Sequence, residues 1–191
     1  MKQMTGKRLG VRIRDHAKAA LDAGIRGVFG WVGPELCIPP LMSPDAFEKY
    51  VFDLDKPLID MIHDAGAHVW VHCHGKMRAV LQRFVEMGVD VLNPIEPPPM
   101  GDVTMAEAFG IVDGAMGLEG GIETHDLMGA AKEDLRAKIH ANLDAGTGRR
   151  MILCPSSGYM ENVTPSVREI ENWLFYVEEG VRYAESLSAM G

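Results

Sequence analysis

The stretch Val69-Trp70-Val71-His72-Cys73-His74-Gly75 opens apolar, turns polar towards its end and stops at a glycine. An extended strand sends alternate side chains to opposite faces. Trp70, His72 and His74 therefore share one face, and Val69, Val71 and Cys73 the other. Two imidazoles at i, i+2 on one face are plausible metal ligands, because their nitrogens can converge on one point. The next strand-like run, Val89 to Ile95, leads into Glu96. That carboxylate on a neighbouring strand end completes a candidate His72/His74/Glu96 set. The same residues also read as hydrogen-bonded side chains lining a cleft, with no metal bound.

Around this stretch lies a chain of 191 residues, enough for one sizeable core. Apolar residues make up 47% and charged residues 24%, the balance of a soluble globular domain. The net charge is −8 and no segment concentrates Lys and Arg, which argues against a nucleic-acid surface. No apolar run approaches the ~18–20 residues that cross a membrane. The basic start, Met1 to Arg8, leads into no apolar segment and is not a secretory signal. Three widely spaced cysteines make no disulfide framework and fit a cytoplasmic location.

Outward from the central stretch, a rhythm recurs of amphipathic helix, glycine, short apolar strand and polar loop. Asp15 to Ala23 reads as a helix stopped by Gly24, followed by a strand over Gly27 to Val32. Ser43-Pro44 starts a helix that runs to Ala65 and is broken or kinked at Pro57. A strand follows at His68 to Cys73. Met77 to Met87 is a helix closed by Gly88, before the strand Val89 to Ile95. Thr104 to Phe109 is a short helix ended by Gly110, and Val112 to Leu118 a weak strand. Lys132 to Ala145 is a helix, Arg150 to Cys154 a strand, and Ser166 to Ser186 the longest helix. The last carries an apolar stripe of Val167, Ile170, Leu174, Val177 and Val181. Five strands alternating with helices imply βαβ units, a parallel sheet and one domain over residues 1–191. In such folds the active site gathers at the carboxyl ends of the strands.

Several landmarks occur in a familiar order. They are Leu41-Met42-Ser43-Pro44, His72-Cys73-His74-Gly75, Gly88-Val89-Asp90-Val91-Leu92-Asn93-Pro94-Ile95-Glu96, Gly101-Asp102, Gly120-Gly121-Ile122 and Ile152-Leu153-Cys154-Pro155-Ser156-Ser157-Gly158. With these the chain resembles the uroporphyrinogen decarboxylase superfamily, which includes corrinoid-dependent methyltransferases. The resemblance implies a partial (β/α)8 TIM barrel, with these five strands as the fourth to eighth. It also implies a truncated barrel or a reduced domain that keeps the signature. In the methyltransferase branch, zinc is held by a His-x-Cys pair on one strand end and a Cys on the last. By position, His72 matches the histidine, but His74 stands where the first cysteine would be. Ser157 stands at the later one, with Cys154 three residues before it. Glu96 falls where the related methionine synthases place an acidic ligand. The implied centre is therefore altered: His72, His74 and Glu96, with Cys154 a fourth ligand only if the backbone turns it inward. Its other reading is core packing.

Three functions follow from this resemblance. The first is a metal-assisted methyltransferase, in which zinc or another divalent first-row ion activates a thiol substrate and a corrinoid, free or on a partner protein, donates the methyl group. The second is a metal-free decarboxylase completed by another chain. The third is a non-catalytic half-barrel that binds a ligand or partner. The strand-end loops are acidic, with Glu35, Glu96, Asp102, Glu119, Glu123 and Asp126, which opposes a polycarboxylate substrate. Candidate substrate contacts are Trp31, Glu35, Asp102, Glu119, Ser157 and Tyr159, whereas Glu123 reads as a solvated loop residue. An open half-barrel leaves two sheet edges and an uncovered face, to which Trp70, Leu92 and Met151 are assigned. A homodimer is the expected way to cover them.

Overall fold

The protein is described from a computed structural model covering residues 5–158 and 164–190. Helix α1 (Thr5–Asp22) leads to strand β1 (Val28–Val32) and a 3-10 turn (Pro34–Cys37). Helix α2 (Pro44–Phe47) passes through a π-helical turn (Glu48–Phe52) into α3 (Asp53–Asp64). Then come β2 (His68–His72), α4 (Leu81–Met87), β3 (Val91–Ile95), α5 (Met105–Val112) and β4 (Gly117–Ile122). Two helices, α6 (Thr124–Gly129) and α7 (Lys132–Gly146), precede β5 (Met151–Pro155), and α8 (Val167–Met190) closes the described chain. The strands form one sheet in the order β1-β2-β3-β4-β5, every pair parallel. This is a run of five successive βα units of a barrel-type fold, as expected.

One side of the sheet is covered by helices and the other is open. Val69, Val71, Leu92 and Leu118 point to the helices and are buried among Ile59, Ile62, Leu81, Phe84 and Phe109. Phe47 and Phe84 meet edge to face at 4.8 Å, a geometry worth ~0.5–1.5 kcal/mol beyond the area it buries. The register sets Gly30 beside Trp70 and His72 beside Asn93, on the open side, where Val28, Val32 and Ile152 stay exposed. Trp70 thus faces the open side as expected. Leu92 and Met151 do not: Leu92 is fully buried under the helices, and Met151 packs against Gly146 of α7. Strand alternation puts each of them one residue out of phase with the open face.

Other departures have local causes. The helix from Pro44 is interrupted at the π-helical turn Glu48–Phe52, one turn before Pro57, which lies inside α3. The wider turn loosens the backbone ladder just where proline cannot donate to it. Helix α5 runs through Gly110 to Val112, because a complete capping box between Thr104 and Glu107 and the buried Met105, Ala108, Phe109 and Val112 outweigh one glycine. At the amino ends of the strands, Asp90 accepts from His63 Nε2 (2.9 Å) and Val69 N–H (2.7 Å), tying α3, β2 and β3 together. Among the described residues, no helix is long and apolar enough to cross a membrane.

Gly120 is the tightest point of the sheet. Its φ of +136° and the contact its Cβ would make with the Ile95 backbone exclude any side chain there. Gly120→Ala should destabilise the fold by ~2–4 kcal/mol, strain and overpacking together, read as a lower urea midpoint.

Candidate functional site at the strand carboxyl ends

The polar ends of β2, β3, β4 and β5 meet on the open side of the sheet. Strand β2 stops at His72, so His74 lies just beyond it, but the two rings remain neighbours, 4.5 Å apart and nearly perpendicular. Trp70 stacks on the other side of His72, with centroids 5.9 Å apart. The expectation that these three share a face therefore holds past the end of the regular strand.

Each histidine has an acceptor behind it. His74 Nδ1 meets Glu96 Oε1 at 2.9 Å, while Glu96 Oε2 takes the Gly75 N–H at 2.8 Å. Gly75 can turn that N–H towards Glu96 because it holds a φ of +117°. His72 Nδ1 meets Asn93 Oδ1 at 2.7 Å, and the Asn93 amide donates to Glu119 Oε2 (3.0 Å) and Cys154 Sγ (3.2 Å). A carboxylate can only accept, so the amide nitrogen must face Glu119 and the oxygen must face His72. Both imidazoles then carry their proton on Nδ1 when neutral. Neither Nε2 has a hydrogen-bond partner among the described residues.

Charge follows the same geometry. The bond to Glu96 raises the His74 pKa, against desolvation and with help from the charges of Glu96, Glu35 and Glu123. Burial pushes the Glu96 carboxyl up, but the bonds from His74 and Gly75 prevail and hold it below the usual range. Burial and the nearby Glu119 push the Cys154 thiol up to about 11. His74 and Glu96 are thus a charge-assisted pair, and Cys154 is a thiol at neutral pH.

The expected ligand set is brought together without converging. Glu96 spends both oxygens on His74 and Gly75. Cys154 does turn to the open side, where Asn93 stands between it and His72. Among the described residues, no three His, Cys, Asp or Glu side chains are arranged around one ion position. The donor chemistry fits two imidazole positions of a metal centre rather than three protein ligands.

The expected substrate contacts divide. Glu119 faces the site through Asn93. Glu35 accepts from Gly33 N–H at 3.1 Å and lies close enough to His74 to act on its charge. Asp102 instead clamps the loop after β2, accepting from Arg78 N–H at 2.9 Å, while its carbonyl takes the Arg78 guanidinium. Trp31 is a correction: it pairs in register with Val71, packs into the helix-side core and lies beside Asp55 of α3. Strand phase turns it away from the site. Ser157 is exposed and joined to Thr124 through its backbone. Tyr159 lies outside the described residues.

Glu123 corrects the solvated-loop reading. Only 4% exposed, it follows β4 and accepts from Ser156 Oγ at 2.9 Å, while its other oxygen is buried without a partner among the described residues. Burial first, then the Glu96 and Asp126 charges, raise its pKa against the Ser156 bond. Asn93 is the second residue missed; a polar side chain within an apolar strand run was the signal for it. A carboxyl raised on folding adds stability below its unfolded pKa, and this is lost as pH rises through the folded one. Glu123→Gln should therefore show a smaller loss of unfolding free energy than wild type between about pH 4 and about pH 8. Equal losses in denaturant titrations would refute the raised state.

Comparisons with known proteins agree with this architecture. A methyltransferase from Methanosarcina mazei superposes with a TM-score of 0.65 at 17% identity, over 88% of this chain and 45% of that one. At that identity the likeness shows the fold, and the chain spans less than half the length of that protein. No curated protein matches the chain. The pattern of uroporphyrinogen decarboxylase (URO-D) matches residues 14–170, which include every strand and the site just described. The chain belongs to the URO-D family.

Proposed function

We propose that the strand-end site serves methyl transfer to a small thiol, with His72 and His74 at its centre. The observation that carries this reading is that Asn93 and Glu96 claim both Nδ1 atoms and leave two Nε2 lone pairs as the reactive face. Metal-binding histidines are commonly prepared in this way. His72 and His74 would hold a divalent first-row ion, zinc foremost, and Cys154 would join only by giving up its contact with Asn93. Such an ion, when bound, supplies Lewis acidity that favours thiolate over thiol. The methyl donor in this proposal is a corrinoid, free or on a partner protein.

The remaining work falls to the chain itself. Glu96 holds the proton at His74 Nδ1 and keeps a negative charge behind the ring. Asn93 fixes His72 without charge. Cys154 keeps its own proton, so the acceptor sulfur is the substrate's. Trp70 gives an apolar wall beside His72. The acidic character of Glu35, Glu96, Glu119 and Glu123, which opposes a polycarboxylate, supports this reading over decarboxylation.

Protein purified without a histidine tag should carry near-stoichiometric metal and consume methylcobalamin only when a thiol is supplied. His74→Ala should lower metal content and rate by ~10-fold or more. Full metal content and full rate in both His72→Ala and His74→Ala would overturn the proposal.

A further inference from the structure

Helix α8 carries an apolar seam that the fold does not use. Val167, Ile170, Leu174, Val177 and Val181 alternate spacings of three and four residues, the heptad pattern of one helix built to pack along another. A helix covered by its own domain turns such a stripe inward. Here the inward face is a different one, made by Asn172, Trp173, Tyr176, Glu179 and Gly180 against α6, α7 and Leu153. The five seam residues are 47–74% exposed. Shallow apolar hollows run beside them, one over Pro165 and Trp173 and one over Leu153 and Gly180.

The charge beside the seam says what fits it. Glu171, Glu178 and Glu185 recur once per heptad along one flank, all exposed. Glu171 has a long, exposed pairing with Lys132 at 3.7 Å, and Glu178 and Glu185 have no ion-pair partner among the described residues. Arg182 is engaged with the buried Glu179. The other flank turns towards the protein itself, with Trp173 packed on the core cluster of α6 and α7 and Gly180 against Leu153. A second copy laid antiparallel on the seam would set one glutamate row against the other, and a parallel copy would offer this row no cation. Like charges facing across such a seam are destabilising, and opposite charges select the partner.

We propose that the α8 seam is a docking surface for an amphipathic helix of another polypeptide segment, apolar at heptad spacing and rich in lysine or arginine along the flank that meets Glu171, Glu178 and Glu185. The apolar residues hold the helix and the glutamate row chooses it.

Two labelled peptide probes of about three heptads, identical at their apolar positions and flanked by either lysine or glutamate, test this by fluorescence anisotropy with the full chain. The lysine peptide should bind ~10-fold or more tightly than the glutamate peptide and weaken as salt is raised. Leu174→Glu, a change at an exposed position, should abolish binding of both. Joint reversal of Glu171, Glu178 and Glu185 to lysine should invert the preference. Equal binding of the two peptides, binding of neither, or full binding by Leu174→Glu would overturn the proposal. So would light scattering that shows a dimer of the chain dissolved by Leu174→Glu, because the seam would then belong to a second copy.

Discussion

The side-chain amide of Asn93 is the contact on which the character of the site depends. It accepts from His72 and donates to Glu119 and Cys154, so one residue of β3 reads its neighbours on β2, β4 and β5. That reach exists because the strands are parallel and in register, with His72 opposite Asn93 and Glu119 and Cys154 on the same open face. Turning the amide over would set its oxygen against a carboxylate. The orientation of Asn93 therefore determines which nitrogen of His72 is free. Glu96 does the equivalent for His74 with a full charge, which couples the ring to the acidic strand ends as well.

The fold protects this arrangement from behind. The helix side of the sheet is filled by large apolar residues, so the strands cannot slip by one residue without turning Val69, Val71 and Leu92 into solvent and the histidines into the core. At the other end of the strands, Asp90 holds β2, β3 and α3 through its bonds to Val69 and His63. Gly120 lets β4 approach the Ile95 backbone. Precision at the carboxyl ends is thus set by constraints distributed along the strands.

Much of this was legible in the sequence because it follows from period. The alternation of Val69 to Cys73 placed Trp70 and His72 on one face, and glycines after apolar stripes marked most helix ends. Period alone does not say which face is covered. Leu92 and Met151 were assigned to the open side, and Trp31 to the substrate, although strand phase turns all three under the helices. The stripe on α8 reads as core from its spacing, yet the helix buries its other side. Partnership is still harder to read, since Glu123 differs from a solvated loop residue only through burial beside Ser156. Asn93 gains its importance from residues on three other strands. Such contacts are made by tertiary register and have no local signature.

The central claim is that two histidines present Nε2 because Asn93 and Glu96 hold Nδ1. Nitrogen-15 NMR of imidazole-labelled protein, read on the neutral form of each ring, tests it most directly. The account predicts that His72 and His74 both carry their proton on Nδ1, and that Asn93→Leu releases this preference in His72 alone. An Nε2-protonated tautomer at either histidine in the wild-type protein would contradict it.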